Sequence, residues 1–311
     1  MALAGFFLLA FISTAISQPD SVYTFFPDVK ITESGEYDGT SFDFFSPRYT
    51  AYRGDTVYVI WQEDRFNPSG RWILFAKSTD RGNTFGPNVI AAGGLYPAMC
   101  VDNNGIIYFA YQNSGDIFFR KSTNGGASFS ARVRVTDDTL SPAGQNDPSI
   151  AVNNKGQIFV TWVDYRTNPY SAFASASYDG GVTFTPNVQA NALGTRGAPG
   201  DIAADDSGRV YVFYGGTLEG RSGIITALSN DSGQGFYFHT LVSDTPWSTG
   251  SLSGAVSPLG LVGVAWTGSR VVNGFLNSIL HFSVSFDRGQ MFSPSVRVDD
   301  DSDLSTRTAP H

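Results

Sequence analysis

Two stretches of this sequence set acidic groups and an arginine behind a tryptophan at matched spacing: Trp61-Gln62-Glu63-Asp64-Arg65 and Trp162-Val163-Asp164-Tyr165-Arg166. A guanidinium is a planar fork of donors that can hold a carboxylate through two parallel hydrogen bonds. Asp64, Arg65, Asp164 and Arg166 therefore read either as repeat-encoded ion pairs or as parts of a site for a polar ligand. Asp147 and Asp201 stand at the start of apolar runs, where they could hold polar ligand groups if those runs line a channel. Glu219 lies two residues before Arg221 and close in sequence to Tyr211 and Tyr214. A solvated loop ion pair is the simplest reading of Glu219 and Arg221.

Metal chemistry has little to work with. The run Asp299-Asp300-Asp301-Ser302-Asp303 offers carboxylate oxygens of the kind that bind Ca²⁺, without the alternating spacing of an EF-hand loop, so a solvated loop competes with that reading. His239, His281 and His311 show no HExxH spacing, and zinc is not expected. The single cysteine, Cys100, lies in the apolar run Met99-Cys100-Val101 and reads as core. Apart from the Ca²⁺ option, no cofactor is expected.

The elements that must position these groups are short strands. The chain has 311 residues with 34 Gly, 25 Phe and 14 Tyr, charged residues make up only 15%, and no long stretch keeps the 3.6-residue period of an amphipathic helix. The net charge of -8, with Lys and Arg scattered, argues against nucleic acid as a partner. A ligand with one carboxylate stays compatible, because a local arginine cluster can override the overall sign.

One motif, SxDxGxTF, recurs five times. Its copies are Ser78-Thr79-Asp80-Arg81-Gly82-Asn83-Thr84-Phe85, Ser122-Thr123-Asn124-Gly125-Gly126-Ala127-Ser128-Phe129, Ser177-Tyr178-Asp179-Gly180-Gly181-Val182-Thr183-Phe184, Ser229-Asn230-Asp231-Ser232-Gly233-Gln234-Gly235-Phe236 and Ser285-Phe286-Asp287-Arg288-Gly289-Gln290-Met291-Phe292. In a tight turn the Ser and Asp side chains bond nearby backbone N–H groups, the Gly takes a positive φ, and the Phe packs back into the sheet. Each copy is thus expected to be a hairpin. Upstream, runs such as Pro148-Ser149-Ile150-Ala151-Val152 lead through an Asn-Lys-Gly tip into a second apolar strand, giving four strands in a unit of about 50 residues. Four antiparallel strands repeated radially make propeller blades; a solenoid is the alternative.

At the N-terminus, the apolar run from Phe6 to Ile12 followed by Ser13, Thr14, Ala15 and Ser17 reads as a secretory signal peptide over residues 1–17, and as too short to span a bilayer. A buried strand or short anchor is the alternative. Residues 18–311 show no linker and are taken as one domain. Residues 28–33 have the character of an outermost strand without its inner three, and Ala309-Pro310-His311 resembles the opening of another unit. The expected fold is therefore all-β: a six-bladed type of propeller with five full blades plus an N-terminal outer strand, truncated at the C-terminus. Direct closure of five blades is the other option.

The SxDxGxTF boxes at this spacing resemble the Asp-box, or BNR, repeats of the sialidase (neuraminidase) superfamily over nearly all of the mature chain. The resemblance implies an extracellular or cell-surface protein with a glycan or glycoprotein partner, sialylated glycans included, and boxes at the blade edge away from the ligand site. In that family an arginine triad clamps the substrate carboxylate, a Tyr made basic by a Glu attacks an oxocarbenium-like centre, and an Asp serves as acid and base. Carried onto this chain, Arg48, Arg65, Arg166, Arg221 and Arg270 are the clamp candidates, and Glu219 with Tyr211 or Tyr214 the nucleophile candidates. Two family positions differ. Phe45 stands where the first arginine is expected, and Asn67 and Ser69 stand where the acid is expected. An exo-α-sialidase-type glycoside hydrolase and a non-catalytic glycan- or protein-binding propeller both remain open.

Overall fold

The structure, a computed structural model, describes residues 31, 40–41, 48–63, 71–138, 144–243, 248–272 and 275–298. The signal-peptide segment, residues 28–33 apart from Ile31, Asp64, Arg65, the acidic run from Asp299 and the C-terminal residues to His311 lie outside them. Among the described residues there are strands and turns but no helix.

Among the described residues the strands form five antiparallel sheets: four are four-strand meanders in chain order, and the first is such a meander with one further strand. The first contains β1 (Thr40–Ser41), β2 (Thr50–Arg53), β3 (Thr56–Glu63), β4 (Trp72–Ser78) and β5 (Val89–Gly93), with β1 and β2 sharing the edge of β3. The second holds β6 (Leu95–Val101), β7 (Ile107–Asn113), β8 (Asp116–Ser122) and β9 (Val133–Arg134). The third holds β10 (Gln145–Val152), β11 (Ile158–Asp164), β12 (Ser171–Ser177) and β13 (Val188–Gln189). The fourth comprises β14 (Gly197–Ala204), β15 (Val210–Leu218), β16 (Arg221–Ser229) and β17 (Phe238–Ser243), and the fifth β18 (Ser248–Val256), β19 (Val262–Val272), β20 (Phe275–Ser285) and β21 (Val296–Arg297).

Side chains alternate across a strand, so a strand apolar on both faces needs a neighbour on each side. In β15, Val210, Val212 and Tyr214 pack against the third sheet, while Tyr211 and Phe213 pack against the fifth. The same two-faced burial gives one hydrophobic cluster between each successive pair of sheets.

The first strands of successive sheets lie side by side, β2 against β6, β6 against β10, β10 against β14 and β14 against β18. They also converge. Asp201 in β14 accepts hydrogen bonds from Arg48 just before β2, from Ser149 in β10 and from Ser253 in β18. A linear stack would hold the first and fourth sheets apart, so this meeting places the first strands around a common axis, as in a propeller-like fold.

Each SxDxGxTF copy begins on the last residue of a third strand and leads to the fourth. The Ser Oγ accepts from the Gly N–H four residues on at 2.7–2.9 Å in all five. The Asp or Asn Oδ1 accepts from the Ser hydroxyl and from the N–H four residues on. The Gly has φ of 85–91° throughout. Asn124 fits because its amide donates to Ser128, where Asp80 and Asp179 accept from Thr84 and Thr183. The Phe residues close the packing: Phe129 sits edge-on to both Phe75 of the first sheet and Phe109 of its own, Phe184 lies against Phe119, and Phe85, Phe236 and Phe292 join the flanking clusters.

Candidate functional site

In an antiparallel meander the first strand begins, the second ends and the third begins at the same end of the sheet. That end, opposite the repeat hairpins, carries most of the candidate side chains. The second strands approach it with a repeated buried aromatic: Trp61, Tyr111, Trp162, Tyr214 and Trp266 occupy equivalent positions. Two residues on stand Glu63, Asn113, Asp164, Gly216 and Gly268. The indole N–H of Trp61 donates to Glu63 at 3.2 Å and that of Trp162 to Asp164 at 2.9 Å. Glu63, which the sequence reading passed over, is therefore the structural counterpart of Asp164. The adjacent acid in the first stretch, Asp64, lies outside the described residues with Arg65.

Arg166 is held on several sides. Its guanidinium pairs with the fully buried Asp164 at 2.8 Å and with Asp137 at 3.0 Å, donates to Asn187, and lies 4.6 Å from the centroid of the Phe173 ring. Burial opposes the charge, but the bonds to Asp164 and Asp137 outweigh it and raise the pKa above its ordinary value. Asp137 follows β9, so the pair joins the second sheet to the third.

Arg48 and Asp201 pair with each other at 2.6 Å on the axis. Arg48 also donates to Ser149 and to the Ile202 carbonyl, and the Asp201 carboxylate takes the N–H groups of Ile202 and Gly254 as well. The pair borders a recess of about 400 Å³ between the first strands, lined chiefly by small residues such as Ala151, Ala203 and Ala255. Asp201 is thus buried beside this recess, with its carboxylate taken up by protein partners.

Asp147 occupies a different environment. It lies in the register shift between Asn146 and Ser149, at a φ of 51°. Beside it is Tyr165, 43% exposed, whose ring centroid is 5.4 Å from that of Tyr170. The guanidinium of Arg196 lies 4.5 Å over the Tyr170 ring and its Nε donates to the Tyr170 hydroxyl. Burial, and then the charge of Asp147, push the Tyr165 phenol above its ordinary pKa, with Arg196 pulling the other way. The structure therefore gathers two partly exposed phenols from the β11–β12 loop, an exposed guanidinium from the turn ahead of β14 and a carboxylate from the bulge in β10. Stacking rings with flanking charged donors and acceptors suit a saccharide or another flat polar ligand. Tyr165, Tyr170 and Arg196 were missed from sequence, although the Gly194-Thr195-Arg196-Gly197 turn ahead of β14 was a usable signal.

The remaining candidates are dispersed. Glu219 and Gly220, both at positive φ, form the two-residue tip between β15 and β16, with Leu218 paired to Arg221. Tyr211 and Tyr214 face opposite sheet interfaces, their hydroxyls meeting the Arg288 carbonyl and His239 Nδ1. Burial raises both phenol pKa values, that of Tyr214 to about 12, and a nucleophilic phenol needs the opposite shift. Arg270 pairs through its backbone with Asn277. Among the described residues no three His, Cys, Asp or Glu side chains come together as a metal site, and no helix is long and apolar enough to cross a membrane.

No protein-family model matches the sequence, and no curated protein matches it. Solved structures do share the fold. A protein of unknown function from Dyadobacter fermentans is 13% identical with a TM-score of 0.60, over 86% of this chain and 85% of that one. A leech intramolecular trans-sialidase complexed with 2,7-anhydro-Neu5Ac is 14% identical with a TM-score of 0.58, over 86% of this chain and 64% of that one. A polysaccharide lyase, ulvan lyase bound to -[GlcA(1-4)Rha3S]-, is 12% identical with a TM-score of 0.52, over 78% of this chain and 66% of that one. This chain therefore spans just under two thirds of the trans-sialidase and the lyase.

Proposed function

We propose that this protein is a secreted, sialidase-like Asp-box propeller that binds glycans on the face where its first strands begin. The observation that carries the reading is the cluster of Tyr165, Tyr170, Arg196 and Asp147: two aromatic faces from one loop of the third sheet, a carboxylate from the bulge in its first strand, and a guanidinium from the turn leading into the fourth sheet. Glu219 and Arg221 extend the same face from a hairpin tip. Fold-level similarity to a trans-sialidase and a polysaccharide lyase, each in complex with a sugar, supports the choice of ligand class.

A non-catalytic role is favoured over exo-α-sialidase chemistry by the burial and raised pKa of Tyr211 and Tyr214. The test is titration of the protein with 3'-sialyllactose and with neutral oligosaccharides, alongside Arg196→Ala and Tyr170→Ala. Loss of a stacked ring or a charged donor should weaken binding about tenfold. Affinity unchanged in both variants would remove this face from consideration. A parallel assay follows 4-methylumbelliferone released from its sialoside, and no release is expected. Turnover that Arg196→Ala abolishes would establish the hydrolase instead. Export is tested by the N-terminus of the secreted protein, expected just after Ala15 or Ser17.

A further inference from the structure

The fourth SxDxGxTF copy breaks the pattern of the other four. After the box Phe, those copies continue with small residues or proline: Gly86-Pro87, Ser130-Ala131, Thr185-Pro186 and Ser293-Pro294. The fourth continues Tyr237-Phe238-His239, and its Thr position is Gly235. A Cβ at Gly235 would lie 2.3 Å from the Tyr237 ring, so the glycine makes room for that ring. Tyr237 and Phe238 are nevertheless 72% and 57% exposed. The turn does not require these rings, since four copies close without them, and their exposure gains little from burial.

The rings border a recess of about 640 Å³ between the fourth and fifth sheets, which Arg209, His239 and Arg288 also line. Arg209 is compensated by Asp205 at 2.9 Å. Arg288 has no ion pair and no side-chain hydrogen bond among the described residues. Its equivalent in the first copy, Arg81, pairs with Asp55 at 2.8 Å. In the fifth sheet the corresponding turn brings Gly260 against the Arg288 stem and supplies no acid. The recess thus joins two exposed aromatic faces to one uncompensated guanidinium, in a protein of net charge -8.

We infer that this recess is a second saccharide site, at the opposite end of the sheets from the face proposed above, and that it takes an acidic oligosaccharide. A pyranose face packs on Tyr237 or Phe238, and a carboxylate or sulfate pairs with Arg288. The site does not depend on the first one.

The repeat itself supplies mild test variants. Tyr237→Ser installs the residue found at this position in the second and fifth copies, and Arg288→Ser the residue that the fourth copy carries there as Ser232, at a φ of 62°. The full chain would be titrated calorimetrically with a short oligogalacturonate, its methyl ester and a sulfated carrageenan oligosaccharide. At least one acidic probe should bind, with affinity falling about tenfold in each variant and with the methyl ester, while the thermal midpoint stays put. Binding of the oligogalacturonate alone assigns a carboxylate, and of the carrageenan probe alone a sulfate. The inference is overturned if neither acidic probe binds, if the methyl ester binds equally well, or if either variant binds as well as the parent. Loss of binding in Arg196→Ala instead would place the acidic sugar on the other face and equally overturn it.

Discussion

Removing the Asp201 carboxylate is expected to destabilise the protein by about 3–5 kcal/mol, the range for breaking a buried pair by deleting one partner. At hydrogen-bonded separation, here 2.6 Å between Nε and Oδ1, the attraction is about 4 kcal/mol for charge centres ~4 Å apart at an effective dielectric of 20. Arg48 keeps 24% of its side chain exposed, so water screens part of this. The carboxylate also accepts from Ser149, Ser253 and the N–H groups of Ile202 and Gly254. Asp201→Ala strands those buried amides at about 1–3 kcal/mol each where water does not reach them. Arg48→Met leaves the four other bonds in place and should cost less, about 2 kcal/mol. Urea unfolding followed by fluorescence of the buried Trp61, Trp162 and Trp266 gives both values, and the double variant gives their coupling, expected near 2 kcal/mol. A cost below about 1 kcal/mol for Asp201→Ala, or simple additivity in the double variant, would show that the first and fourth sheets do not meet at this bond. The radial arrangement would fall with it.

Three further outcomes are expected. Gly126→Ala and Gly181→Ala should each cost about 3 kcal/mol or more, because the new Cβ would lie 2.0 and 2.2 Å from the Phe75 and Phe119 rings; Gly82→Ala, with nothing within 4 Å among the described residues, should cost only the ~1 kcal/mol of its positive φ, as thermal melts would show. The Ser78 and Thr84 hydroxyls, which donate to Asp80, lower its pKa to about 2. A depressed carboxylate pKa contributes stability in full above the unfolded value of ~3.9 and loses it as pH falls toward the folded value. Asp80→Asn, which reproduces the residue found as Asn124 in the second copy, should therefore flatten the loss of stability between those two pH values, and an unchanged slope would refute the assignment. Burial pushes the Cys100 thiol up to about 12, so a thiol reagent should label it only at the rate of unfolding; rapid labelling of the native protein would show an accessible thiolate.

The hairpins were legible because their chemistry is local. Ser, Asp and Gly within five residues satisfy one another's hydrogen bonds, and five copies at regular spacing announce five equivalent corners. The strands were legible for a related reason, since runs such as Val210-Tyr211-Val212-Phe213-Tyr214 must be buried on both faces. Local patterns were less informative about sites. Arg48, Asp201 and Arg166 all read as possible ligand groups, and in the fold all three spend their charge on one another or on Asp164 and Asp137. Tyr211 and Tyr214 lie close to Glu219 along the chain, yet alternation turns their rings into different sheet interfaces.

By itself, then, the sequence determined the repeat, the strand count within each unit and the conformation of every box, because those depend on contacts a few residues apart. Only the tertiary structure decided which charges meet, because Arg48 and Asp201 are 153 residues apart in the chain and become neighbours when the first strands gather around an axis. It also decided why the box glycines of the second and third sheets can be nothing else: besides a positive φ, each has an aromatic ring from the preceding sheet filling the space a side chain would need.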